Sequence, residues 1–143
     1  MDLTLTVNDT ILNVRVVILV KTKNGIVLEK SPDGYMYFIG GRVKINETSE
    51  EAAKREVFEE VGIKAEKVTF RTVVENIFKL KEQQFHEICF VYSVDEEVTI
   101  PKLSKDRVEI PLEEFKNLDI RPKILKEYVE SNSKDYHVVT KAE

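Results

Sequence analysis

The chain has 143 residues, of which 42% are hydrophobic and 34% charged, and this predicts one soluble globular domain over residues 1–143. A formal net charge of −4 argues against general nucleic-acid binding, and the longest apolar run, residues 16–20, is too short to cross a membrane. The single cysteine, Cys89, excludes an internal disulfide and favours a reducing, cytoplasmic location.

The first part of the chain reads as a series of short strands rich in Val and Ile. These predicted strands cover residues 3–7, 12–20, 26–28 and 35–39. Asn24-Gly25 predicts a hairpin turn, because both residues tolerate positive φ. The paired glycines Gly40-Gly41 are expected to end the strand that precedes them.

The clearest helix covers residues 48–61. Thr48 and Glu51 have the spacing of a capping box, and Gly62 stands where a left-handed C-terminal cap belongs. A helical wheel predicts a stripe of apolar side chains that packs against the core. This predicted stripe consists of Ala53, Val57, Phe58 and Val61.

Beyond this helix the pattern returns to strands. They are predicted at residues 68–78, 85–94, 98–100 and 108–110, with a polar loop at 79–84 and a last helix whose first turn holds Pro122. The tail, residues 131–143, indicates either a short strand at 136–140 or a flexible end. Strands interleaved with a few helices predict an α+β or mixed α/β layered domain.

Three carboxylates of the helix break local rules. Glu56, Glu59 and Glu60 share an arc of about 100° on the wheel. Glu56 and Glu60 repel each other at i,i+4 spacing. Glu59 and Glu60 lie in the last turn of the helix, where the helix dipole disfavours anions. A divalent cation such as Mg²⁺ would relieve this repulsion, because clustered carboxylate oxygens are its preferred ligands. A solvated acidic face is the alternative that the helix geometry leaves open.

The spacing around these carboxylates resembles a known family signature. From Gly41 the chain reads five residues, Glu47, seven residues and then Arg55-Glu56-Val57-Phe58-Glu59-Glu60-Val61-Gly62-Ile63. This resembles the complete box of the Nudix hydrolases, here residues 41–63, and looser similarity covers most of residues 13–130. Ile39 and Asn46 stand where the family often has Pro and Gly. Because Asn accepts positive φ, the turn at Asn46 is expected to be kept.

The resemblance implies a fold and an activity. The fold is the Nudix α/β/α sandwich, a mixed sheet flanked by helices. The activity is hydrolysis of the pyrophosphate bond in a nucleoside diphosphate linked to another moiety, such as a nucleoside triphosphate, ADP-ribose or a nucleotide sugar, with Mg²⁺ or Mn²⁺. The expected partner is a small nucleotide. A non-catalytic nucleotide-binding or sensor module is the alternative, and a homodimer is compatible with the sequence without support from any residue.

Residue roles follow from the same resemblance. The implied metal ligands are the Gly40 carbonyl, Glu56, Glu59 and Glu60. The catalytic candidates are Glu47, Arg55, Glu56 and Glu59, and Glu87 is a separate candidate that its own strand suggests. Arg55 is expected to pair with Glu47 and so hold the loop against the helix. The general base is not assigned; Glu56 or a loop residue is favoured.

Three residues are candidates for contact with substrate: Gly41, Arg15 and Phe78. Arg15 interrupts a Val- and Ile-rich strand, and it either contacts a phosphate or points to solvent. Glu87 is unusual because both faces of its strand look buried. It is either a ligand, base or substrate contact, or a residue at the wet end of the strand. Cys89 is expected to be a core residue rather than a nucleophile.

Overall fold

The computed structural model of the protein describes residues 1–94, 100 and 103–142. Strands dominate this part of the chain. In chain order its elements are β1 (Thr4–Val7), β2 (Thr10–Leu19), β3 (Lys21–Thr22), β4 (Gly25–Lys30), β5 (Met36–Arg42), α1 (Ser49–Val61), β6 (Val68–Leu80), β7 (Gln83–Val94), β8 (Arg107–Ile110), a 3-10 helix (Leu112–Asn117), β9 (Ile120–Arg121), α2 (Lys123–Glu130) and β10 (His137–Lys141). The strand predicted at residues 98–100 lies mostly outside the described residues.

The strands form one mixed sheet in the order β10-β6-β7-β2-β5-β4-β3. The shorter β1, β8 and β9 pair with β2, β4 and β5 respectively. At the centre β2 runs parallel to β7, whereas β6 and β7 form an antiparallel hairpin. No helix in the described residues is long and apolar enough to span a membrane.

Helices cover both faces of this sheet, which confirms the predicted α/β/α sandwich. On one face Val57 of α1 packs with Val16 and Ile18 of β2. On the other face Leu125 of α2 packs with Val17. Because successive strand residues point to opposite faces, β2 sends its even-numbered side chains toward α1 and its odd-numbered ones toward α2. This alternation decides which polar side chains of the central strands can meet.

The caps predicted for α1 are confirmed. Thr48 is the N-cap of a complete capping box with Glu51, and Gly62 is a left-handed C-cap with φ of 79°. Phe58, however, does not extend the core stripe, since it is 58% exposed. The buried side of the helix instead includes Ala52 and Glu56. The stripe is therefore rotated away from Phe58, and one carboxylate of the acidic arc is drawn into the interior.

Two glycine predictions were wrong in detail. Thr22 pairs with Gly25, so the hairpin loop consists of Lys23-Asn24, and Gly25 begins β4 at φ of 149°. A Cβ on Gly25 would lie 2.0 Å from the Ile110 carbonyl oxygen, so close packing against β8 requires this glycine. Gly40-Gly41 do not end β5 either, because the strand continues through them to Arg42.

The β6–β7 connection is tighter than the polar loop predicted at residues 79–84. The strands extend to Leu80 and from Gln83. The turn is only Lys81-Glu82, with φ of 48° and 68°. These positive values match the twist of a two-residue hairpin turn. The tail adopts the first of its two predicted alternatives, because β10 pairs in parallel with β6.

Candidate active site

Arg55 holds the acidic helix and the preceding loop together. Its Nε and Nη2 donate to the two carboxylate oxygens of Glu47, at 2.7 and 2.8 Å. Its Nη1 donates to Glu56 at 2.7 Å and to Glu59 at 3.3 Å, and Nη2 also donates to the Arg42 carbonyl at 3.0 Å. The predicted Arg55–Glu47 pair is thus present and bidentate. One guanidinium gathers three carboxylates whose mutual repulsion would otherwise drive them apart.

The turn before α1 is shaped to deliver Glu47. Asn46 has a φ of 66°, so the positive φ expected where the family often has Gly is present. The Lys44 backbone N–H donates to Glu47 at 2.9 Å, which fixes the carboxylate inside the turn. Hydrogen bonding from Arg55 is the main reason that the pKa of Glu47 falls to about 2.

Glu56 has a different environment from its neighbours on the helix. Its side chain is nearly buried, and burial raises its pKa above the ordinary value, although Arg55 acts in the opposite direction. Glu59 is half exposed, and its negative charge adds to the upward shift of the Glu56 pKa. The site therefore combines Glu47, whose lowered pKa keeps it ionised, with Glu56, whose raised pKa makes it easier to protonate.

The paired glycines bring backbone against this site. A Cβ on Gly41 would lie 2.3 Å from Oε1 of Glu56, and one on Gly40 would lie 2.1 Å from the Val16 carbonyl oxygen. No other residue fits at either position without displacing a carboxylate or a strand. Gly41, predicted as a substrate contact, thus lies directly against Glu56, and Gly40 lies next to it in β5.

Glu60 lies apart from the other two glutamates. Its carboxylate forms an ion pair with Arg107 of β8, whose Nη2 also lies 3.5 Å from Glu29. Within the described ranges no group of three or more His, Cys, Asp or Glu side chains is arranged to hold a metal ion. Glu56 and Glu59 converge on the same Arg55 nitrogen, so of the three predicted carboxylate ligands these two are gathered at one point and Glu60 is not.

The donor chemistry nevertheless fits a hard divalent cation. Glu56 and Glu59 supply carboxylate oxygens, and the missing side chain of Gly41 leaves backbone in direct contact with Glu56. In this arrangement Arg55 supplies the positive charge that balances the two carboxylates. Glu60 would add a third carboxylate only after it separates from Arg107.

A cavity of about 740 Å³ lies on the opposite face of the sheet, under α2 and the segment that leads to it. Arg15 and Phe78, both predicted as substrate contacts, line it. Arg15 is half-buried. Burial raises the pKa of both Glu56 and Cys89, and the positive charge of Arg15 opposes the rise in each, so Arg15 acts on a group of the helix site and on a group that lines the cavity. Cys89 is buried, and burial raises its thiol pKa to about 12, as expected for a core residue.

Aromatic side chains line two parts of this cavity. Phe78 stacks on Phe85 with ring centroids 5.1 Å apart and planes only 9° from parallel. Elsewhere the Arg121 guanidinium lies 3.8 Å above the centre of the Tyr35 ring, and Tyr35 meets Tyr37 edge to face. Flat apolar surfaces of this kind suit a planar ligand.

Glu87 also lines the cavity, on the face away from α1. Its Oε2 accepts a hydrogen bond of 2.9 Å from Asn13 Nδ2. Asn13 and Asn76, which line the same space, are absent from the sequence prediction, as is Arg121. An isolated Asn in a strand carries no local signal, so only the pairing of strands could have identified them.

The arrangement defines a class of protein: a mixed sheet between helices, with a capped glutamate-rich helix on one face and a ligand-sized cavity on the other. The NUDIX domain model matches residues 9–130.

Solved structures agree on the fold. The mutator MutT protein from Bacillus halodurans has a TM-score of 0.71 at 18% identity, with 90% of each chain covered. The MutT protein from Methanosarcina mazei Go1 has a TM-score of 0.62 at 22% identity, covering 88% of this chain and 95% of that one. The dihydroneopterin triphosphate pyrophosphohydrolase of E. coli has a TM-score of 0.62 at 17% identity, with coverage of 82% and 92%.

The chain belongs to the NUDIX family, since the family model spans most of its length. It is accordingly a Nudix pyrophosphohydrolase, of the class that hydrolyses pyrophosphate bonds in derivatives of nucleoside diphosphates. The resemblance carried by residues 41–63 of the sequence is confirmed.

Proposed function

We propose that this protein hydrolyses the pyrophosphate bond of a small nucleotide, such as a nucleoside triphosphate, ADP-ribose or a nucleotide sugar, with Mg²⁺ or Mn²⁺ as cofactor. Water adds to one phosphorus, the bridging P–O bond breaks, and two separate phosphate products leave. The observation that carries the proposal is the set of contacts at Arg55, which joins Glu47, Glu56 and Glu59 directly beside Gly41.

The acidic residues have distinct parts in this proposal. Glu56, Glu59 and Glu60, with the Gly40 carbonyl, are the residues that would hold the cation. When bound, it supplies positive charge to the phosphates and activates water. Arg55 and Glu47 are positioning residues, because their bidentate contact fixes the loop that carries the glycines. Glu56 is our candidate base, because its carboxylate lies directly against Gly41 and accepts a hydrogen bond from Arg55.

Arg15 supports a path for the substrate from the cavity to the helix site. It pairs across the sheet with Arg42, and both side chains line the cavity. Arg42 directly follows Gly41, which touches Glu56. Two cations at this point suit the negatively charged phosphates of a nucleotide whose other end occupies the cavity.

The test is phosphate release from a panel of nucleotides, with pyrophosphatase or phosphatase added, in Mg²⁺, Mn²⁺ or EDTA. We expect turnover of at least one nucleotide that depends on the cation. Glu56→Gln and Glu59→Gln should each lower turnover by roughly 10²-fold or more, since removal of one preorganised electrostatic group typically has that effect. Glu50→Gln is the matched control, because Glu50 is an exposed carboxylate on the same helix.

Two results would contradict the proposal. Absence of turnover on every nucleotide, combined with tight binding of one of them, would support the non-catalytic sensor module instead. Turnover that is unchanged in both Glu56→Gln and Glu59→Gln would place the reaction elsewhere. Circular dichroism of each variant should match the parent, because both substitutions preserve side-chain shape.

A further inference from the structure

A row of polar side chains runs over five neighbouring strands, and its central part lines the cavity. Strand register places Thr4 opposite Asn13, Asn13 opposite Glu87, Glu87 opposite Asn76, and Asn76 opposite Thr140. The three central members, Asn13, Glu87 and Asn76, line the cavity. Side chains that are register partners on one face of a sheet are about 5 Å apart, so these groups can contact a single small ligand together.

Hydrogen bonds hold one end of this row in place. Thr4 Oγ1 donates to Asn13 Oδ1 and Asn13 Nδ2 donates to Glu87 Oε2, each at 2.9 Å. Asn13 itself is 1% exposed. Among the described residues, Glu87 Oε1 and the Asn76 amide have no hydrogen-bond partner, and neither is sealed from the cavity. The row therefore presents a fixed carboxylate oxygen and an amide to whatever occupies the cavity.

The row has an aromatic side and a cationic side. On the same face of the sheet, the next register pair beyond Asn76 and Glu87 is Phe78 and Phe85, whose rings stack on each other. In the other direction Arg15 lies opposite Cys89, two residues along the strand from Glu87. Two residues of a strand span about 7 Å, comparable with the width of a nucleoside. A ring beside the phenylalanines would thus place its phosphates toward Arg15 and the helix site.

We infer that Glu87 and Asn76 read the edge of a 2-amino-4-oxo heterocycle, the pattern found in guanine and in pterins. This ring offers two adjacent N–H donors that a carboxylate can accept, and a neighbouring carbonyl that can accept from an amide N–H. This inference rests on the proposed function, because it names the substrate class of the same site. Of the roles open to Glu87, it assigns contact with the substrate ring.

Other nucleobases fit the row less well. Adenine and cytosine each present one donor beside a ring nitrogen that carries a lone pair, which would face the carboxylate. Uracil flanks its single N–H with two carbonyl oxygens. Each of these rings would leave the half-buried carboxylate opposite an acceptor, and a buried polar site discriminates strongly against ligands that leave it unpaired.

The test measures ring binding without catalysis. Calorimetric titrations in EDTA compare GMP, IMP and AMP, where IMP differs from GMP only by loss of the 2-amino group. We expect GMP to bind most tightly, IMP less tightly and AMP most weakly, with GMP and AMP separated by ~tenfold or more in Kd. Glu87→Gln and Asn76→Ala should each reduce this separation. Glu82→Gln, at the exposed turn after β6, is the control and should preserve it.

The outcomes separate this inference from the proposed function. Equal binding of the three nucleotides, tighter binding of AMP, or no binding of any of them would overturn the inference. So would a preference for GMP that persists in folded Glu87→Gln and Asn76→Ala. Hydrolysis of nucleotides with equal binding of the three rings would support the proposed function and contradict the inference about Glu87 and Asn76. Selective binding of GMP by a protein that hydrolyses no nucleotide would support the inference and contradict the proposed function.

Discussion

The helix site and the cavity are built in opposite ways. The helix site draws its charged groups from one stretch of fourteen residues, Glu47 to Glu60, and Arg55 links Glu47, Glu56 and Glu59 within it. The polar row of the cavity instead takes one residue from each of five strands, and its members extend from Thr4 to Thr140 along the chain. The first is a local motif, and the second is a product of register.

This difference bears on how each site tolerates change. A local motif concentrates its function in a few contacts, so a single substitution can dismantle it. A row distributed over a sheet is supported by backbone pairing that persists when one side chain is replaced. We therefore expect large effects on turnover at the helix site and selective effects on ligand preference at the cavity.

The largest effect is expected from Gly41→Ala. The added Cβ would lie 2.3 Å from the Glu56 carboxylate, so the side chain of Glu56 must move. A displacement of about 1 Å at a reacting site can lower turnover by roughly 10²-fold, and we expect at least that loss in steady-state assays.

Gly34→Ala is the control for this substitution. Gly34 has a φ of 90°, but a Cβ there would meet nothing within 4 Å. This variant should lose some thermal stability through backbone strain and keep its turnover. Full turnover in Gly41→Ala would show that Glu56 does not need its present position.

Arg55→Lys should have the next largest effect. Lysine keeps the charge but lacks the planar fork that bonds Glu47 through two nitrogens while a third reaches Glu56 and Glu59. We expect turnover to fall by about tenfold to a hundredfold, and the free energy of unfolding to fall by about 1.5–3 kcal/mol. Urea titration and steady-state assays measure these two effects.

The neighbouring Lys54→Gln provides the comparison, because it removes an exposed ion pair with Glu50 that is worth at most about 1 kcal/mol. If Arg55→Lys behaves like this control, the fork geometry of Arg55 has no role beyond its charge.

The Glu47 pair should also give a measurable pH dependence of stability. The pKa of Glu47 is lowered to about 2 in the folded protein, so the folded state favours its ionised form. This stability is present above the ordinary carboxyl pKa and is lost as the pH falls from about 4.5 toward 2. At pH 7 we expect Glu47→Gln to lower the free energy of unfolding by roughly 2–3 kcal/mol.

Urea denaturation of both proteins between pH 7 and pH 3 checks this, and the gap between them should narrow on acidification. A gap that stays constant with pH would mean that the Arg55–Glu47 contact stabilises the protein by its shape and not by charge.

The smallest effect concerns the cavity. Tyr35 and Tyr37 hydroxyls lie 2.9 Å apart, and this hydrogen bond is the main reason that the pKa of Tyr37 rises to about 12. Tyr35→Phe should lower the pKa of Tyr37 toward the ordinary value of 10.0. The folding stability of the protein should be unchanged. NMR of ¹³C-labelled tyrosine follows the titration, and Tyr136→Phe, a change at an exposed tyrosine, should leave it unaltered. An unchanged Tyr37 titration in Tyr35→Phe would assign the shift to burial instead.

Several features could be predicted because their determinants are adjacent in the chain. The capping box of Thr48 and Glu51, the cap at Gly62, the Arg55–Glu47 pair and the positive φ of Asn46 all depend on residues a few positions apart. The predictions that failed depend on distant neighbours. Gly25 and Gly40 are required by the carbonyls of Ile110 and Val16, so no local turn rule identifies their function.

The sequence by itself determined the family, the acidic helix and the charged pair that holds it, since helix periodicity and capping act over a few residues. Only the tertiary structure decided that Glu60 contacts Arg107 rather than the other two glutamates, because β8 must first pair with β4. It also decided that Glu87 lies between two asparagines at the floor of a cavity. The register of a sheet is fixed by long-range pairing and burial, and these are properties of the whole fold.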